Sequence, residues 1–305
     1  MIIDVHTHLG NILTPNGGEL IFRKGVKKKR VLDLVTVAEW GFYNTNPVTE
    51  WVLTSLCEDM VTRACQARNL TATLENCMRS MEQNGVEKSA CMPIAPYVTF
   101  QDLKKASQTY GGVVPFTSVD FAHHEEVEAR LRSDVAEGAK GLKLHPIIQK
   151  EPIASPRTFE TVEAFAPHEL PVLFHAGVQS YYLGEEKEEK QIPEHGDVTD
   201  AVKLCDAFPK VRFIVGHAGL MQYKQTIDLF GNRKNVYVDL SFQSPSKIKE
   251  LVKAFGADRV MFASDWPWGD QKTNIACVSK ACKGDTSLER RIYYDNAASL
   301  LRLSR

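Results

Sequence analysis

The sequence has no GxGxxG cradle, no CxxC pair, no apolar run of 18 residues and almost no net charge. The first absence removes the phosphate-binding turn of a dinucleotide fold, and no other motif points to nicotinamide, flavin or ATP, so no organic cofactor is expected. Without CxxC, Cys57, Cys65, Cys77, Cys91, Cys205, Cys277 and Cys282 form an odd, scattered set. Such a set fits free thiols in a reducing compartment better than a disulfide framework. The missing apolar run leaves no candidate membrane span. MIIDVHTHLG also lacks the basic-then-apolar order of a signal peptide, so a cytoplasmic location is the expectation. Lys and Arg number 37 against 38 Asp and Glu, a net charge of -1 that gives no electrostatic reason to expect a nucleic-acid partner. One run departs from this balance, Lys24 to Arg30 (KGVKKKR). It reads as a solvated loop, with an anionic substrate or surface partner as the alternative.

What is present is a large apolar fraction, 43% of 305 residues, patterned as alternating short and long runs. The short β-rich runs are Ile2–Val5, Ser89–Ile94, Val113–Val119, Gly141–Leu144, Val172–Phe174, Val211–Val215, Val236–Leu240 and Val260–Ala263. Amphipathic runs follow them, from Thr73–Asn84 to Gln271–Cys282, and Gly85, Gly138, Gly231 and Gly256 stand where left-handed caps would end helices. Eight strand–helix units predict an α/β fold of the (β/α)₈ TIM-barrel type, one domain over 1–305, whose strands are apolar on both faces. Leu288–Leu303 reads as a closing C-terminal helix. Between the first strand and its crossover helix lie about sixty residues, too many for a bare connection. Val31–Trp40 and Glu50–Cys65 look helical within it, so 14–72 is expected to be a helical cap insertion over the barrel mouth.

Asp4-Val5-His6-Thr7-His8 ends the first strand. Strict alternation would put Asp4, His6 and His8 on one face, with both imidazoles at the carboxyl end where barrel sites are built. His175 follows the VLF run, His217 follows FIVG, and Asp265 follows FAS at the last strand. In a closed barrel these strand ends surround one cavity, so residues distant in sequence reach one point. Three imidazoles and a carboxylate suit Zn²⁺, and Mn²⁺ tolerates the same donors. On the fourth strand, Lys143 and His145 share a face. Lys143 would hold a substrate carboxylate. His145 would bond a leaving oxygen, and a structural role is open for each. Trp266 would form an apolar pocket wall or simply pack the last loop.

MIIDVHTHLG, VLFHAG, FIVGHAG and FASDWPWG together resemble the amidohydrolase superfamily, in particular the amidohydrolase-related branch that contains aminocarboxymuconate-semialdehyde decarboxylase. The resemblance spans the chain. It implies His6, His8, His175 and Asp265 as ligands of one divalent metal, with Asp265 also the proton acceptor and His217 beside the substrate. The binuclear pattern of the superfamily would instead have Lys143 carboxylated and bridging two metals, with His217 on the second. The expected activity is metal-dependent hydrolysis of an ester, lactone or amide bond in a small, carboxylated molecule. The alternatives are non-oxidative decarboxylation of a small cyclic or unsaturated carboxylic acid, and a catalytically silent barrel with a binding role. Oligomeric state stays open, a homodimer being common among similar barrels.

Overall fold

The computed structural model describes residues 1–303. Its strands are β1 (Ile2–Thr7), β2 (Val86–Cys91), β3 (Val113–Pro115), β4 (Thr117–Ser118), β5 (Leu142–Leu144), β6 (Val172–Phe174), β7 (Phe213–Val215), β8 (Val236–Asp239) and β9 (Val260–Met261). All pair in parallel in chain order, β1 to β3 in one ladder and β4 to β9 in another. β3 and β4 are two halves of one barrel strand. Phe116 between them donates its N–H to Cys91 on one side, while Thr117 turns to Gly141 on the other. The ring closes between the ends of the chain: Val5 N–H bonds Phe262 O (3.1 Å), Asp265 N–H bonds His6 O (2.8 Å) and His8 N–H bonds Trp266 O (2.7 Å). This is the expected eight-stranded barrel.

Two apolar layers hold it. Outward-facing Leu142, Leu144, Val172, Phe174, Phe213 and Val215 pack against the helices through Phe165, Leu204, Phe230 and Leu251. Inward-facing Ile3, Val5, Phe116, Leu173, Ile214 and Met261 form a separate cluster with Tyr294, Ala297, Leu300 and Leu301 of the C-terminal helix. That helix is not uniform: Thr286–Arg290 and Asn296–Leu300 flank a π turn at Arg291–Asp295. Gly85 takes the expected left-handed conformation (φ 67°), but Gly231 stays helical at φ −54° because its N–H still bonds Ile227.

β1 departs from strict alternation. Asp4 pairs with Ser89 and Thr7 with Cys91, so three steps on β1 face two on β2. This bulge changes the strand's phase. Ile3 and Val5 belong to the interior cluster, while Asp4 turns to Ser264 and to Gln271 of the helix Gln271–Cys282. The expectation that Asp4 shares a face with His6 is therefore corrected.

The segment after β1 carries α1 (Leu34–Trp40), α2 (Pro47–Trp51) and α3 (Glu58–Asn69), with a π turn at Val52–Leu56 between the last two. Lys24, Lys27, Lys28, Lys29 and Arg30 are exposed, as expected of a solvated loop. Buried Arg68 ties the segment down. Its guanidinium donates to Asp33 (2.8 Å), Thr36 (2.8 Å), both Glu39 oxygens (2.6 and 2.9 Å) and the Trp268 carbonyl (2.8 Å). All seven cysteines are free. No described helix is long and apolar enough to cross a membrane.

Candidate metal centre

The strand ends bring His6, His8, Lys143, His145, His175, His217, Asp239 and Asp265 together, each 7% exposed or less. His217 and Asp265 occupy left-handed backbone (φ 56° and 55°), a costly conformation for residues with a Cβ. Specific bonds hold both: Asp265 N–H to His6 O (2.8 Å), and His217 N–H to Asp239 Oδ1 (2.9 Å). Gly216 precedes His217 because a Cβ there would lie 2.9 Å from Phe174 O and 3.6 Å from the His6 ring.

Asp265 faces three imidazoles without bonding any of them. Its Oδ1 lies 3.6 Å from His6 Nε2 and 3.4 Å from His8 Nε2, and its Oδ2 lies 3.9 Å from His217 Nε2. Oδ1 is buried with no hydrogen-bond partner. Leaving a carboxylate oxygen in that state is expensive unless something positive completes it. Such gaps match ligand atoms sharing one ion, since donors about 2.1 Å from a tetrahedral metal stand ~3.4 Å apart. His6, His217 and Asp265 place one ligand atom each within 4.8 Å of one another, the donor set of a divalent-metal site.

Burial first, and then the Lys143 charge together with neighbouring imidazoles, holds His6 well below its usual protonation range. Burial also leads in pushing His8, His145 and His217 well down, and His175 down to about 3. Neutral imidazoles are the form that ligates metals. Burial raises the Asp265 carboxyl well above the carboxylate range and lowers Lys143 to about 8.

The residues expected in the site are placed unevenly. His8 is oriented by a bond from Nδ1 to Met92 O (2.9 Å), which leaves Nε2 toward Asp265. His175 lies just outside the compact donor group; its Nε2 bonds Gly177 O (2.9 Å), and its ring stacks on His145 with centroids 4.3 Å apart. Lys143 does not line the cavity but lies against His6, its Nζ 2.8 Å from Nε2. Trp266 does not line it either. Paired with Thr7, it closes the barrel, while Trp268 faces the cavity.

That cavity encloses about 630 Å³ above the metal centre. His8, His145, His175, His217 and Asp265 form its polar base, and Val61, Cys65, Tyr181, Leu220, Phe242 and Trp268 give it apolar walls. Residues of α1, α3 and the loops around them contribute Leu34, Tyr43, Glu58 and Thr62 to the lining. Two site residues had escaped sequence reasoning. Asp239 ends β8 as Asp265 follows β9, so the rule that singled out Asp265 would have found it. Tyr181 lies in a loop without periodicity, pinned by Gln191 to its N–H (2.6 Å) and Gln66 to its carbonyl (2.9 Å), and no sequence signal marks it.

A family model described as Amidohydrolase matches residues 3–303. Among solved structures, an uncharacterized TIM-barrel protein from Bordetella bronchiseptica is 17% identical, covers 99% of this chain and 98% of its own, and superposes with a TM-score of 0.68. The 5-carboxyvanillate decarboxylase of Sphingomonas paucimobilis is 13% identical over 99% of both chains, with a TM-score of 0.65. The enzyme of the same activity from Novosphingobium aromaticivorans, complexed with manganese and 4-hydroxy-3-methoxy-5-nitrobenzoic acid, is 16% identical over 99% and 96%, again at 0.65. No curated protein matches the chain by sequence.

Proposed function

The chain belongs to the amidohydrolase family, and on that premise we propose that it is a metal-dependent decarboxylase of a small cyclic carboxylic acid. The observation that carries the reading is an apolar, partly aromatic belt of Val61, Tyr181, Leu220, Phe242 and Trp268 in a cavity with a histidine-rich base, whose lining also holds Glu58, Lys187, Glu194 and Lys247. An aromatic or unsaturated ring would lie against Phe242 and the edge-packed pair Tyr181 and Trp268 (centroids 5.6 Å apart), with its carboxylate toward the histidines. The whole-chain likeness to decarboxylases of aromatic carboxylic acids favours this chemistry over the hydrolysis expected from the motifs.

His6, His217 and Asp265 would hold the ion, and we assign His8 and His175 as the adjoining ligands. Zn²⁺ and Mn²⁺ both suit these donors, and the bound ion supplies positive charge that orients and neutralises an anionic substrate oxygen. The apolar walls exclude water and fix the ring. Asp265 delivers a proton to the ring carbon that bears the carboxylate. The carbon–carboxylate bond then breaks, its electron pair stays on the ring, and carbon dioxide leaves. One proton is consumed per turnover, and solvent returns it to Asp265. His145, stacked on His175, lies where it can bond a substrate oxygen.

A panel of hydroxylated and methoxylated benzoic acids, with lactones and esters beside them, tests the reading in D₂O and, in parallel, in ¹⁸O-labelled water on Zn²⁺- and Mn²⁺-loaded protein. Release of carbon dioxide with one deuterium at the vacated carbon is the expected result. Turnover of esters or lactones with solvent ¹⁸O in the product and no carbon dioxide would overturn it.

A further inference from the structure

Asp239 is fully buried; one oxygen meets the His6 imidazole, and the other meets the backbone N–H of His217 and both donors of Ser241. Oδ2 lies 2.8 Å from His6 Nδ1. Oδ1 accepts from His217 N–H (2.9 Å), Ser241 N–H (3.1 Å) and Ser241 Oγ–H (2.6 Å). These bonds determine which ring nitrogen carries hydrogen. A carboxylate only accepts, so His6 Nδ1 holds the proton and Nε2 keeps the lone pair. The opposite side of the ring agrees, because the Lys143 ammonium, 2.8 Å from Nε2, only donates. Ser241 has one hydroxyl hydrogen and gives it to Asp239. Toward His217 Nδ1, 2.7 Å away, its oxygen can then only accept. His217 Nδ1 is therefore the protonated nitrogen, and its Nε2 lone pair lies on the Asp265 side.

We infer that Asp239 is the positioning residue that sets both His6 and His217 in the tautomer presenting Nε2 to the metal, directly in one case and through Ser241 in the other. The inference rests on the metal-site part of the reading above and not on the reaction. It also accounts for three features otherwise unrelated: an acidic residue at the end of β8, the strained backbone of His217 tethered to Oδ1, and the near-parallel stacking of the His6 and His217 rings (4.7 Å, 20°). Outer partners of metal-binding imidazoles typically alter metal affinity by about 10–100-fold when replaced.

Asp239→Asn separates this role from shape. The amide oxygen belongs where three donors converge on Oδ1, which turns the NH₂ group toward His6 Nδ1. A donor there opposes the Nδ1–H tautomer and favours Nε2–H, with the Lys143 amino group turning away from Nε2 to admit the proton. In metal-free protein labelled with ¹⁵N at histidine, the His6 long-range nitrogen–proton pattern should switch from Nδ1–H to Nε2–H. Zn²⁺ affinity, measured by chelator competition, should fall about 10–100-fold. Ser241→Ala should alter the His217 pattern and leave His6 unchanged, and it serves as the test if Asp239→Asn does not fold. Folded variants with wild-type tautomer patterns, or with Zn²⁺ affinities within twofold of wild type, would overturn the inference. The tautomer readout needs neither substrate nor ion, so failure of the decarboxylase reading would leave it standing.

Discussion

The barrel interior has two halves built from the same strands. Toward its base, Ile3, Leu173, Ile214 and Met261 fill the space with hydrocarbon, each 1% exposed or less. Two residues beyond Leu173 stands His175, two beyond Tyr237 stands Asp239, and four beyond Met261 stands Asp265. One turn of the pleat separates packing from chemistry. The lower half gains by excluding polar atoms. The upper half holds buried polar groups, one of them an unpaired carboxylate oxygen, whose cost the lower half offsets. The comparison teaches that removing a group should affect stability below and turnover above.

The largest expected effect tests the upper half. Asp265→Asn keeps size and one carbonyl oxygen but cannot carry the transferred proton. At matched metal occupancy kcat should fall roughly 10²–10⁴-fold, with the thermal midpoint little changed. A variant that is as active as wild type would remove Asp265 from proton transfer. Below, Ile214→Ala should cost about 2–5 kcal/mol of stability by opening a cavity, read as a shift of the urea midpoint, while kcat per folded molecule stays near wild type. If the two readouts exchanged places, the division between the halves would fail.

An effect of similar size, confined to a pH window, lies at the border. Burial, opposed by bonds from Ser264 and Gln271, raises the Asp4 carboxyl from 3.8 to about 6. The folded state therefore binds this proton more tightly than the unfolded chain does. That contribution to stability is fully present below pH 3.8 and is lost as pH rises through about 6. The loss amounts to roughly 3 kcal/mol. Asp4→Asn cannot titrate, so the wild-type stability minus that of the variant should decrease between pH 4 and 7 in denaturant titrations. A flat difference would mean that Asp4 is ionised throughout.

The barrel was legible because parallel strands buried on both faces leave near-continuous apolar runs, as in VRFIV and RVMFA. The site was legible where a ligand-type side chain directly follows such a run, at His175, His217 and Asp265. Alternation failed at β1, since one extra residue between Asp4 and Thr7 reverses the phase and no composition signal marks a bulge. β3 and β4 were read as one strand because the change of pairing at Phe116 alters hydrogen bonds, not apolar pattern. Asp239 follows VYV in the same way but was passed over because the run was read through to Leu240, and its role, set by hydrogen bonds to residues 22 and 233 positions away, lies in no local window. The expected role of Lys143 came from the strand face it shares with His145, and that of Trp266 from its place directly after Asp265. The ring that closes around them assigns Lys143 to His6 and Trp266 to the barrel seam.

The guanidinium of Arg68 has a consequence for how such a barrel can be recombined. Glu39 Oε1 accepts from Arg68 and also from Asp270 N–H (3.0 Å), so α1, α3 and the loop after Asp265 are wired through one buried ion cluster. All three charges lie within 14–72, so a swap of the whole segment carries them together, and only a swap of part of it divides them. A graft that breaks the trio of Asp33, Glu39 and Arg68 strands charge inside the protein, a loss of about 3–5 kcal/mol, and frees the very loop on which Asp265 sits. Inheritance of a new pocket wall would require the three charges to travel together, or to vanish together.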